Sequence, residues 1–162
     1  MKKILIISIF ATSLFFLSCN PQKKIAGNYS YGIQCLGTEL DGSHTMKAWG
    51  NGRNRFDAAE QAKKNAVYAV IFDGIREGHG GCDVRPLVNE VNAKEKYEDY
   101  FNKFFADKGE YLKYVSLKDE RIDHKGTREK KGSVDGNTRS VIVRVLKPQL
   151  KQKLIDDNII KN

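Results

Sequence analysis

The sequence predicts an α+β fold: an antiparallel sheet of about four strands with helices packed on one face, in the order β-β-α-α-β-β-α. Three observations carry this. An Asp41-Gly42 turn joins two alternating segments early in the chain. Two stretches of helical periodicity fill the middle. The segment Ser140-Val141-Ile142-Val143-Arg144-Val145-Leu146 near the end is the clearest strand of all. A doubly wound parallel sheet needs strands that alternate with helices, and that pattern is missing.

The elements follow in order. Residues 29–40 alternate loosely and read as a first strand, and residues 43–49 return after the turn as a second. Gly50-Asn51-Gly52 ends it in a tight turn. A helix is expected over 55–72, with Asn54 as N-cap and Asp57 in the first turn, where an acid is favourable. Its face of Phe56, Ala59, Ala62, Ala66, Ala69 and Val70 is small enough to lie close to a sheet. Residues 73–86 contain Gly74, Gly78, Gly80 and Gly81 and read as an irregular loop. A second helix is expected over 93–106, with Tyr97, Tyr100, Phe101, Phe104 and Phe105 on one broad face that belongs in a core. Strand-like alternation reappears at 114–118, a turn at 131–137 and the closing strand at 138–146. Pro148 suits the first turn of a last helix whose apolar edge is Leu150, Leu154 and Ile155.

The N-terminus says where such a body is held. Lys2 and Lys3 precede fifteen residues without a charge, from Ile4 to Ser18, and then Cys19. A bilayer-spanning helix takes about 20 residues, so the run fits the apolar region of a cleaved export signal instead. Ser18 directly before Cys19, with an apolar pair before it, resembles a bacterial lipoprotein signal, although Phe16 stands where Leu is usual. The resemblance implies cleavage after residue 18, lipidation of Cys19 by three acyl chains such as palmitate, and a tether over 19–28. Residues 29–162 then form a single α+β domain. One chain holds a protein to a membrane only reversibly, whereas several hold it firmly. Gln22-Lys23-Lys24 contains no acid, which favours an outer-membrane anchor facing the periplasm over display on the cell surface.

The strand, the Gly50-x-Gly52 turn and the alanine stripe Ala58-Ala59-x-x-Ala62-x-x-x-Ala66-x-x-Ala69 together resemble the LPP20-type lipoprotein module. In that family a strand leads through a small-residue turn into an alanine-striped helix, and later strands complete a sheet. The resemblance covers about half of the mature chain. It implies an envelope-associated, non-enzymatic protein and lends no catalytic residues.

Charge is uneven. The formal net charge is +8, and residues 103–153 hold 14 basic against seven acidic side chains, whereas residues 19–102 hold 11 of each. The densest point is Lys125, Arg128, Lys130 and Lys131, read as a solvated hairpin or as a surface for an anionic envelope polymer or lipid. Nucleic acid is not an expected partner of an exported lipoprotein. The expected partners are the membrane, through the N-terminal lipid, and an envelope protein of unknown identity.

Candidate chemistry is thin. An oxidising compartment permits a disulfide between Cys35 and Cys82, and two buried free thiols are the alternative. The cysteines and His44, His79 and His124 show no metal-ligand spacing. Arg55 stands where a dinucleotide fingerprint has its third glycine, so Gly50 to Gly52 predict a turn rather than a phosphate cradle. His79, Cys82 and Asp83 offer an imidazole, a thiol and a carboxylate in the 74–86 loop, but their spacing guarantees neither a base nor an oxyanion site. No catalytic residue, metal or cofactor is expected.

Overall fold

The computed structural model describes residues 32–117 and 138–161. They form an α+β body around a five-stranded sheet. Strand β1 (Ile33–Thr38) turns through Asp41-Gly42 into β2 (His44–Asn51). The turn closes with Gly42 at φ 77° and with the Glu39 amide donating to the Ser43 carbonyl at 2.8 Å. Helix α1 (Arg55–Tyr68) follows, and the Asn54 side chain accepts the Phe56 and Asp57 amides at 2.8 and 3.0 Å.

The α-helix stops at Tyr68, earlier than its periodicity suggests, and a single π turn continues it over Ala69–Asp73. The Gly74 amide reaches back to the Ala69 carbonyl, and Gly74 leaves the helix at φ 71°. The widened turn has a use. The Val70 and Ile71 carbonyls accept the Leu87 and Val88 amides at 3.0 and 2.9 Å, which fastens the far end of the following loop.

That loop contains the main departure from the expected fold. Residues Glu77–Gly78 form a short strand, β3, that pairs parallel with β1. The sheet therefore has five strands in the order β3-β1-β2-β5-β4 and is mixed rather than purely antiparallel. The cause is close backbone packing. A Cβ at Gly78 would lie 2.2 Å from the Cys35 carbonyl, and one at Gly80 would lie 2.2 Å from the Gly37 amide nitrogen. Only glycines let the segment lie this near β1.

The expected second helix is two, α2 (Ala93–Lys96) and α3 (Glu98–Phe104), because Tyr97 between them sits at φ −115°, ψ 30°, outside the helical basin. A 3₁₀ turn (Glu110–Tyr114) leads into β4 (Val115–Leu117). Strand β5 (Thr138–Val145) pairs with both β2 and β4, and helix α4 (Lys147–Asp156) follows it. Among the described residues no helix is long and apolar enough to cross a membrane.

The core lies between the sheet and α1, which packs on β2 and β5. Met46 and Ala48 of β2 and Val141, Val143 and Val145 of β5 alternate inward against Ala59, Ala62 and Ala66. Gly50 faces the same way, and a Cβ there would lie 2.2 Å from the Ala58 carbonyl oxygen. The buried Asn65 amide donates to the Trp49 carbonyl at 2.7 Å, so a polar bond crosses this otherwise apolar layer. Beyond α1 the aromatic face is core: Phe101, Phe104, Phe105 and Tyr111 are buried, with Phe72 and Phe101 edge to face at 4.7 Å. Leu150 and Leu154 of α4 are buried, while Ile155 is only half-buried and Ile159 joins the core after it.

Candidate functional site

The densest cluster of chemically capable side chains lies where the 74–86 segment meets the β1–β2 hairpin. Alternation along β1 turns Cys35 inward, and the β3 pairing brings the returning chain beside it. Cys35 and Cys82 form a disulfide, with Cα atoms 5.8 Å apart. The Cys82 amide also points at the Cys35 sulfur, 3.0 Å away. The sulfur of Cys82 is thus bonded and offers no thiolate.

His44 sits next to this bond and is 2 % exposed. Its cross-strand partners are Thr38 on β1 and Val145 on β5. Nδ1 lies 3.2 Å from the Thr38 hydroxyl, and that hydroxyl donates to the Gly81 carbonyl at 3.2 Å. Nε2 accepts the Asp83 amide at 3.4 Å. These bonds assign one tautomer: the proton is on Nδ1, and Nε2 carries the lone pair. Burial holds the imidazole below its ordinary pKa, and the Lys147 ammonium pushes it the same way.

The Asp83 carboxylate lies 3.4 Å from Nε2 and pairs with Lys147 at the start of α4. Burial lowers the Lys147 pKa, and Lys151 nearby adds to that. One turn away, Asp41 accepts the Ser43 hydroxyl and amide and pairs with Arg144 at 2.8 Å. Those bonds, led by the Ser43 hydroxyl, hold the Asp41 carboxyl at about 2.

Chemically the cluster is a clasp. Thr38, His44 and Asp83 have the residue types of a hydrolytic triad, but their hydrogen bonds run the wrong way. The Thr38 proton is committed to Gly81, and the His44 lone pair to a backbone amide, so no base faces the hydroxyl. The sequence pattern placed His79 with Cys82 and Asp83. Instead His79 is exposed, and the imidazole that Asp83 meets is His44, 39 residues earlier. No spacing in the sequence groups Thr38, His44 and Lys147. One signal was present: alternation along β2 puts His44 on the same face as Met46 and Ala48.

At the start of α1 the amides that an anion could use are taken by Asn54. Arg53 pairs with Asp57 at 3.5 Å, and Arg55 stacks on Phe56. Among the described residues no group of three or more His, Cys, Asp and Glu side chains is placed to hold a metal ion. Cys19 and the basic cluster Lys125, Arg128, Lys130 and Lys131 lie outside the described residues. No protein-family model, curated protein or solved structure matches the chain.

Proposed function

We propose that the protein is a lipid-anchored accessory or binding module of the bacterial cell envelope, non-enzymatic, held to the outer membrane through Cys19 and facing the periplasm. The observation that carries this is the N-terminal pattern, Lys2-Lys3, an uncharged run and Ser18-Cys19. The Cys35–Cys82 disulfide supports it, because such bonds persist in oxidising, exported settings and are rare in a reducing cytosol. The resemblance of the glycine turn and alanine-striped helix to LPP20-type lipoproteins points the same way. The partner is an envelope protein.

The test is processing. Cells given radiolabelled palmitate should label the wild-type chain but not Cys19→Ala, and globomycin should make the uncleaved precursor accumulate. Unchanged processing and membrane fractionation under globomycin would overturn the anchor. In-cell crosslinking of the anchored protein with mass spectrometry then identifies what it touches.

The basic surplus of residues 103–153 favours one second reading, capture of an anionic envelope polymer. Neutralising Lys125, Arg128, Lys130 and Lys131 should then abolish a salt-sensitive capture. Capture that survives both the substitutions and high salt counts against it.

A further inference from the structure

His44 is a buried titratable group whose every hydrogen bond ties one segment to another. From the ring, one path runs through Thr38 to the Gly81 carbonyl, and the other goes directly to the Asp83 amide. Both paths end on the residues that flank Cys82. The second needs Nε2 to be an acceptor, which holds only while the imidazole is neutral.

Each element packed against the ring brings a neighbour to it. From β1 comes Thr38 and from β5 Val145, neither of which titrates in this range. From the 74–86 segment comes the Asp83 carboxylate, 3.4 Å from Nε2. From the first turn of α4 comes Lys147, which holds that carboxylate. A proton arriving at Nε2 therefore has two consequences. The ring N–H now faces the Asp83 N–H, so that bond is lost. The new imidazolium also attracts the Asp83 carboxylate and repels Lys147, so the ion pair to α4 is contested.

We propose that His44 is a pH-operated latch at residue 83: neutral, it holds the Asp83 amide on the β1–β2 hairpin, and protonated, it gives up that amide and draws the Asp83 carboxylate away from Lys147 and α4. The disulfide limits the movement: Cys82 stays attached to β1 while Asp83 beside it changes partners. Burial keeps the imidazole below its ordinary 6.5, so the exchange falls on the acid side of that value. The exchange takes place at an exposed edge of the clasp, where the Asp83 side chain is 56 % exposed.

The test uses the full-length, disulfide-intact chain in detergent micelles, followed by NMR from pH 7.5 to 5. The His44 ring nitrogens should titrate below 6.5 from the Nδ1–H tautomer. The Asp83 amide shift should move with the same midpoint. Protection of the Asp83 amide against hydrogen exchange should fall through that midpoint, while the Cys82 amide, which faces the Cys35 sulfur, should keep its protection. Amides of α1 should keep their protection. His44→Gln, whose side-chain oxygen can accept the Asp83 amide at any pH, should remove the dependence. The latch is wrong if His44 does not titrate in this range, if Asp83 changes with a different midpoint, or if the pH response survives in His44→Gln. Should that variant fail to fold, the shared midpoint in the wild type decides alone.

Discussion

A methyl group added at Gly50 has nowhere to go. It would lie 2.2 Å from the Ala58 carbonyl oxygen and 2.4 Å from the Ala62 amide nitrogen, and backbone cannot swing aside as a flexible side chain can. Helix α1 must then lift from β2, and overpacking of this kind costs about 1–3 kcal/mol. Gly37, also in a strand, is the control: a Cβ there meets nothing within 4 Å, and its φ is not positive. Gly50→Ala is therefore expected to lower the urea midpoint clearly. Gly37→Ala should leave it unchanged or raise stability by about 0.4–1 kcal/mol through the unfolded chain. Equal effects at the two positions would contradict the close helix–strand approach. The sequence made Gly50 legible as the end of a strand, but it could not reveal proximity. A glycine's conformational freedom shows in its neighbours, whereas the backbone that needs its missing side chain comes eight to twelve residues later.

Among the elements, the 74–86 segment was legible as irregular and its pairing was not. Two residues of parallel strand leave no alternation to read, and the glycines that permit the contact look like the glycines of any loop. The helix before it was legible to within a turn, since Gly74 marks the stop, but the π turn depends on bonds from Leu87 and Val88 that no local pattern announces. Likewise the aromatic face of 93–106 predicts a core helix, yet the break at Tyr97 is a backbone choice with no proline or glycine to signal it. The segment's attachment gives a prediction at this scale. The disulfide spans a separation of 47 residues, for which the loss of unfolded-chain entropy is about 4 kcal/mol, and measured values commonly fall at about 2–4. Replacing Cys35 and Cys82 together by Ala should lower stability by an amount in that range. It should also open the amides at 77–83 to hydrogen exchange well before those of β2 and β5, which pair with each other along eight residues. Uniform loss of protection across the sheet would instead make the bond a global staple.

For the whole molecule, the α+β class and the inward-facing alanines were readable because hydrophobic periodicity is local, whereas the charge network that joins the elements is not. Asp41 meets Arg144 across 103 residues, and Tyr100 donates to Asp157 across 57. The acid response comes from carboxylates held by near and distant partners together. Asp41 is held at about 2, chiefly by the Ser43 hydroxyl and amide. Glu110 is lowered chiefly by its hydrogen bond from Lys113. Asp157 is also lowered, because the bonds from Tyr100 and Lys153 outweigh its burial. A carboxyl whose folded pKa is depressed stabilises the fold above its unfolded pKa, and that stability is lost as pH falls through the folded value. Asp73 opposes the trend, since burial raises its pKa and protonation relieves it. His44 acts at higher pH: with its folded pKa below 6.5, the chain loses stability as pH drops from there toward the folded value. Urea midpoints measured from pH 8 to pH 2 should therefore fall in two limbs, one beginning near 6.5 and one below about 4. Asp41→Asn should flatten the lower limb and leave the upper intact, because its partners Ser43 and Arg144 do not titrate between those pH values. If the lower limb is as steep in Asp41→Asn as in the wild type, the Asp41 bonds to Ser43 and Arg144 make no net contribution to the fold.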